Sequence, residues 1–300
     1  MKLFRSHHIV TVAFVILCAS FLSAQQISDF GTPQGTNALA ASAGFVDILG
    51  IKLGMPAEQA LATLKAAYPA SKITLGRTRD YETVWRRVEQ ENPKHQWVSQ
   101  IDADLNGQGD KVSVGLTLPP SKQVVASIGR ESYLGEPVAI ENIVESLRKK
   151  YGQETYGVNY QMGPITPFDG SGKQFLWVFD PHGNRVKPEA ITKNATLCAA
   201  HSSGNMAGPQ LTLEKNRPYE PATLSNNPCS PYVILSAYIL TMSPAPGLAG
   251  QTRSFTVVVY DWPLISSGAN ALYAFLDQSA RELAAKQDAN AKKRGGEIKY

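Results

Sequence analysis

The chain has 300 residues, 29 Lys+Arg against 25 Asp+Glu, three Cys and 43% hydrophobic residues. It is long enough to bury a sizeable core and too apolar to be a disordered chain. A formal charge of +4 excludes the strongly basic footprint of a nucleic-acid-binding protein.

Residues 1–24 carry the pattern of a secretory signal peptide. Lys2 and Arg5 form a positive start, Ile9–Leu22 an apolar run, and Ser23-Ala24 a small-residue cleavage site before Gln25. The run is shorter than the about 20 apolar residues of a spanning helix. Leu17 before Cys18 does not suit a lipidation site, which wants a small residue there. Cleavage after Ala24 removes two basic residues and no acidic one, so 29 basic residues become 27 against 25 acidic, a net of +2. The expected location is periplasmic or extracellular. No later segment reaches 18 consecutive apolar residues, so no membrane span is expected in the mature chain. The balance of charge predicts no nucleic-acid partner and leaves an envelope protein as the partner to look for.

Residues 25–44 are polar and small and read as a flexible leader. Phe45–Leu53 reads as a short strand or strand pair. Ala57, Ala60, Leu61, Leu64, Ala67 and Tyr68 then follow helical spacing, with Pro56 in the first turn and Pro69 as a stop. The start of this helix, Leu53-Gly54-Met55-Pro56-Ala57-Glu58-Gln59-Ala60, resembles the G-M-[ST]-x-x-[EQ]-[AV] motif of small exported modules. These are the SmpA/OmlA outer-membrane assembly lipoproteins and β-lactamase-inhibitor-like domains. The likeness covers residues 53–67 and departs from the motif at Pro56, where Ser or Thr would cap the helix. It implies an α+β module used for non-catalytic contacts.

From Ser71 to Leu134 the pattern turns strand-like. Thr83–Val88, Trp97–Leu105, Val112–Leu118 and Val124–Ile128 predict an antiparallel meander with one covered face. Asn106-Gly107 marks a hairpin turn. The same stretch offers a calcium reading. Asp102, Asp104, Asn106, Gly107 and Asp110 match the opening of a D-x-D-x-N-G loop, although position twelve is Ser113 rather than a bidentate Glu. The hairpin reading places Asp102 and Asp104 on its wet face.

Ile140, Ile143, Val144, Leu147 and Tyr151 predict a second helix, ended by Gly152. Gly54-Met55-Pro56 leading to the first helix and Gly135-Glu136-Pro137 leading to the second form an internal echo. Strands are expected at Lys173–Phe179, Pro209–Leu213, Tyr232–Leu240 and Ser254–Tyr260. A long amphipathic helix follows, with Leu272, Phe275, Leu276 and Leu283 as its buried stripe and a basic end, Lys292-Lys293-Arg294, that frays. The fold class read from these elements is α+β: antiparallel sheet(s), two short helices and a long C-terminal amphipathic helix. The organisation is a signal peptide (1–24), a leader (25–44), an N-terminal module (45–152), a C-terminal module (153–294), continuous with the first or separate, and a tail (295–300).

After cleavage two cysteines remain, Cys198 and Cys229. In an oxidising compartment such a pair reads as one disulfide, closing a loop rich in Gly, Pro, Ser and Asn. The rival is a metal site through Cys198, His201 and Cys229, which lacks a fourth ligand. Gly170-Ser171-Gly172-Lys173 is no phosphate loop, because Pro167 stands where the first glycine belongs and Gln174 where Ser or Thr belongs. G-x-S-x-G, H-E-x-x-H and C-x-x-C are absent from the sequence. His95 and His182 read as solvated loop residues. The functional expectation is an exported, non-catalytic binding or envelope-interaction protein with no cofactor, no catalytic residue and no metal beyond the weak calcium set. The alternative is an exported hydrolase whose site is assembled from distant residues, with His95, His182 or His201 beside a carboxylate.

Overall fold

A tight turn opens the fold. β1 (Asp47–Ile48) and β2 (Ile51–Lys52) pair antiparallel around Leu49 and Gly50, at φ 55° and 79°. The computed structural model describes residues 44–77, 98–117, 119–161, 171–191, 231–241 and 250–295. Gly54, at φ 76°, turns the chain so that its N–H donates to Val125 O at 2.7 Å. α1 (Ala57–Ala67) follows. Pro56 precedes it without a side-chain cap, Met55 packs against the core, and Ala57, Ala60, Leu61 and Leu64 form the buried stripe.

The eight strands that follow make one antiparallel sheet. They are β3 (Lys72–Arg77), β4 (Val98–Asp104), β5 (Lys111–Leu116), β6 (Val125–Ala139), β7 (Tyr156–Gln161), β8 (Ser171–Phe179), β9 (Val233–Leu240) and β10 (Gln251–Asp261). Their order is β3-β4-β5-β6-β10-β9-β8-β7. Each half is a meander of sequential strands, and the two meanders meet through their last strands. α2 (Ile140–Tyr151) precedes the second meander as α1 precedes the first. The sheet is therefore continuous across both halves of the chain. A four-residue helix, α3 (Pro188–Ile191), follows β8.

Alternation along the strands separates two cores. Ile101, Ala103, Val112, Val114, Ile128, Trp177, Leu235, Ala237, Val257 and Val259 point to one face, where α1 and α2 cover them. Leu176, Val178, Ile234, Val258 and Tyr260 point to the other, where they meet Trp262, Leu264 and Ile265. Those three residues open α4 (Trp262–Gly295). Buried Asp261 caps that helix, its carboxylate accepting the Leu264 N–H at 3.0 Å.

These observations correct the expected fold class. Sheet dominates more than expected, as one eight-stranded sheet plus a two-stranded hairpin, and four helices stand among the described residues rather than three. The last helix is not a long amphipathic helix laid on the sheet. Among its described side chains full burial is confined to the first three turns, where Trp262, Leu264, Ile265, Ala269, Ala271 and Leu272 are buried. Of the expected stripe, Leu272 alone is buried among the described side chains, and Phe275 and Leu283 are half-buried. The physical reason is the length of the surface beneath. The second core is small, and a helix rising 1.5 Å per residue soon runs past it. The basic end also departs from expectation: Lys292, Lys293 and Arg294 remain helical and exposed.

An ion pair fastens α2 to the start of the second meander. Arg148 Nε donates to Glu154 Oε2 at 2.8 Å, and the guanidinium also engages Oε1. The Arg148 hydrogen bond holds the Glu154 carboxyl below its ordinary 4.5, against a smaller opposing effect of burial. A depressed carboxyl stabilises the fold above its unfolded pKa and loses that contribution as pH falls through its folded pKa. Glu154→Gln is thus expected to lower stability by about 0.5–1 kcal/mol at pH 7. The difference from the parent should close once the pH has fallen well below 4.5. Urea denaturation of both chains at pH 7 and in the acid range measures this; a constant difference would show that the charge is not its source.

Candidate functional site

A groove of about 270 Å³ runs beside α2 on the main-core face. Its walls are Ile143 and Leu147 of α2, Leu134 and Val138 of β6, and Phe255 of β10, with Asn142 and Ser146 at the rim. The groove exists because β6 outruns its neighbours. β5 pairs with it only as far as Lys111↔Glu131, and its last pairs are made with β10 alone. Gly135-Glu136-Pro137 falls in a bulge, between the Tyr133↔Ser254 and Val138↔Thr252 pairs. The two strands leave the sheet as a ribbon, and the ribbon and α2 enclose an apolar cleft that no further strand covers among the described residues.

Two unpartnered polar atoms lie further back along the same face of β6, outside the lining of this cleft. Ser132 pairs directly with Phe255 and precedes Leu134 by two residues, so all three share one face. Ser132 is 3% exposed and its Oγ has no hydrogen-bond partner. Arg130, two residues earlier on the same face, has an unpartnered buried Nε. Its Nη2 stands 3.9 Å from Asp110 Oδ2, at the outer limit of an ion pair. Arg130 also acts on Tyr151 at the end of α2, where burial pushes the phenol pKa up and the nearby cations Lys150 and Arg130 oppose the rise. The groove is lined by hydrocarbon, with Asn142 and Ser146 as its polar lining residues. Sequence reasoning missed it. Ile143 and Leu147 read as ordinary core positions of a helix, and no periodicity reports that their outer ridge lacks a partner.

The calcium set stands elsewhere, in the β4–β5 hairpin, and its oxygens hold the turn. Asp104 Oδ1 accepts the Gly107 N–H at 2.7 Å, and Asn106 Oδ1 accepts the Gln108 N–H at 2.8 Å. Asp110 Oδ1 accepts the Tyr133 N–H at 3.2 Å. Asp102 Oδ1 takes Gln100 Nε2 at 2.6 Å and the Ser113 hydroxyl. Among the described residues no three His, Cys, Asp or Glu side chains are grouped to hold a metal. The connection spans residues 105–110 rather than the two-residue turn that Asn106-Gly107 predicts, because Asp104 and Asn106 cap the longer loop with their own side chains. Addition of 1 mM Ca²⁺ (of the order at which extracellular modules bind) is expected to leave the melting temperature unchanged. An Asp104-dependent rise would make the loop a calcium site.

His182 lies in the exposed Asp180–Asn184 turn, its backbone N–H donating to Asp180 Oδ1 at 2.9 Å. Asp180 is held below its ordinary pKa by the Asn184 side chain, so the carboxylate serves the turn. Lys150 meets Asp47 at 3.2 Å and ties α2 to the β1–β2 hairpin. Burial pushes the Tyr260 phenol far up, with Tyr238 adding to it. His95, His201, Cys198 and Cys229, together with the expected strands at 83–88 and 209–213, lie outside the described residues. No helix among the described residues is long and apolar enough to cross a membrane. Comparison with protein families, with curated proteins and with solved structures gives no match for this chain.

Proposed function

We propose that the chain is an exported binding or envelope-interaction protein that performs no catalysis. The observation that carries this reading is the groove beside α2, which is open, apolar and lined by no acid, base or nucleophile beyond the rim hydroxyl of Ser146. Ser146 itself donates to Asn142 O at 2.8 Å, so its proton is committed. A cleft of this kind holds a ligand by burial of apolar surface and offers nothing to react with it. The exported-module likeness of residues 53–67 supports the same class. Gly54 supplies the left-handed turn and Met55 the core contact that such a helix start needs.

Immobilised mature chain, from Gln25 onward, is expected to retain a discrete component of envelope extract. Substitution of Leu134 or Val138 by Asp should abolish that retention. Retention that ignores these changes, or turnover of a hydrolase substrate panel, would overturn the reading. Export itself is checked by intact mass, expected to begin at Gln25; a species that keeps Met1 or carries lipid on Cys18 would refute it. The expected disulfide is checked by non-reducing peptide mapping, in which the Cys198 and Cys229 peptides should run joined. Two thiols free to alkylate in protein from its native compartment would remove the bridge, and stoichiometric zinc would restore the metal reading.

A further inference from the structure

We propose that Asn106 is a self-modifying site, at which the β4–β5 hairpin converts its own carboxamide into a carboxylate through a cyclic imide with the Gly107 nitrogen. The site is separate from the groove and does not depend on what the groove binds.

The chemistry begins with a residue pair. Asn106-Gly107 is the one Asn-Gly pair in the sequence. A carboxamide followed by glycine meets the next peptide nitrogen with no side chain in the way. Asn106 and Gly107 are both exposed, and a Cβ built on Gly107 would have nothing within 4 Å. The nitrogen is therefore uncrowded.

The hairpin loop then supplies the groups that ring closure needs. Asp104 Oδ1 accepts the Gly107 N–H at 2.7 Å, within reach for a general base. Asn106 Oδ1 accepts the Gln108 N–H at 2.8 Å and, more distantly, the Asp110 N–H at 3.4 Å. These donors polarise the carbonyl and stand ready for the oxyanion formed on attack. The first of them also folds the carboxamide back over the Asn106–Gly107 peptide. Asn106 Nδ2, the leaving nitrogen, donates to Asp110 Oδ2 at 3.4 Å. Nucleophile, electrophile and base are thus held in one loop, an arrangement that a free chain has to search for.

The Gly107 nitrogen gives its proton to Asp104 and bonds to Asn106 Cγ, and the carbonyl electron pair moves onto Oδ1. The pair then returns, the Cγ–Nδ2 bond breaks, and Nδ2 leaves as ammonia with the proton that Asp104 held. Water opens the imide. Opening at the side-chain carbonyl leaves aspartate at position 106, and opening at the backbone carbonyl leaves isoaspartate. In sum, a carboxamide and a water become a carboxylate and an ammonium ion, with no oxidant or reductant. The new charge stands between Asp104 and Asp110, whose carboxylates already hold the Gly107 and Tyr133 N–H groups. Isoaspartate further adds a carbon to the backbone of a loop that the Leu105 N–H closes on Asp110 O at 2.9 Å. Either product loosens the end of the hairpin.

The test incubates the full chain at neutral pH, folded and in guanidinium chloride, and follows the Asn106 peptide by mass and by isoaspartate content. The folded chain should convert about tenfold faster than the unfolded one, because the loop brings base and carbonyl donors together. Asp104→Asn keeps an oxygen for the Gly107 N–H and removes the base. It should slow the folded chain by about tenfold and leave the unfolded rate unchanged. Asp110→Asn removes a charge from the same loop without touching Gly107, and should leave the folded rate close to that of the parent. Far-ultraviolet spectra show that the variants are folded. Conversion no faster in the folded parent than in the unfolded one overturns the proposal, since the loop would then shield Asn106. So does an Asp104→Asn chain as fast as the parent, or equal slowing by Asp110→Asn, which would assign the effect to loop charge.

Discussion

Trp177→Ala is expected to bring the protein to the edge of unfolding. Trp177 is fully buried at the centre of the main core, with Phe175 and Tyr151 rings at 6.5 and 6.1 Å. Its Nε1 donates to Gly152 O at 2.7 Å, closing the C-terminal end of α2 onto β8. Truncation removes the indole, leaves a cavity and takes the hydrogen bond from the half-buried Gly152 carbonyl. Aromatic-to-alanine changes in cores cost about 3–5 kcal/mol, against a typical total of about 5–15 kcal/mol. Trp177→Phe separates the two contributions. It keeps most of the ring and loses the hydrogen bond, for which about 0.5–1.5 kcal/mol is expected. Urea denaturation of the three chains measures both steps. A loss below about 1.5 kcal/mol for the alanine variant would mean that the core closes over the gap.

Gly152→Ala should cost about 1–3 kcal/mol through the backbone alone. Gly152 sits at φ 78°, ψ −172°, a conformation that glycine adopts freely and other residues scarcely at all. An added Cβ would also meet Arg185 Nη2 at 2.5 Å. That guanidinium donates to Tyr151 O at 2.9 Å, but its tip can swing aside, so the clash is the smaller cost. The double variant Gly152→Ala/Arg185→Ala distinguishes the two. Recovery of only a minor part of the loss is expected when the backbone is strained. Full recovery would assign the cost to the collision instead.

How much of this was legible in the sequence depends on the length and neighbours of each element. α1 and α2 follow from spacing, and the apolar positions Ile140, Ile143, Val144 and Leu147 are the buried ones. β8, β9 and β10 follow from apolar runs, because central strands are covered on both faces. β3 and β7 are edge strands held by a single neighbour; in β7 the alternation of Tyr156, Val158 and Tyr160 is a strand signal, but it is short and broken by a glycine. β6 extends past Ile128 to Ala139 because β10 lies beside it, through residues that include a glycine and a proline. The stripe Leu272, Phe275, Leu276 and Leu283 describes a helix correctly. It does not report that, among the described side chains, full burial stops at Leu272. The candidate groove joins residues 134, 143 and 255, a juxtaposition made by strand order, which no local pattern encodes.

The meeting of the two meanders has a consequence for how the protein is made. β6 pairs with β5 on one side, but its other neighbour, β10, lies more than a hundred residues further along the chain. Until residue 261 is available, β6 and β9 each present a bare edge at the middle of the future sheet. Closing so long a loop costs entropy before any contact repays it, so this seam should form last and slowly. A chain threaded through a membrane from its N-terminus would then remain pliable until nearly all of it had crossed. A product truncated before Gln251 would carry two sticky half-sheets, prone to join other copies at the edge meant for β10.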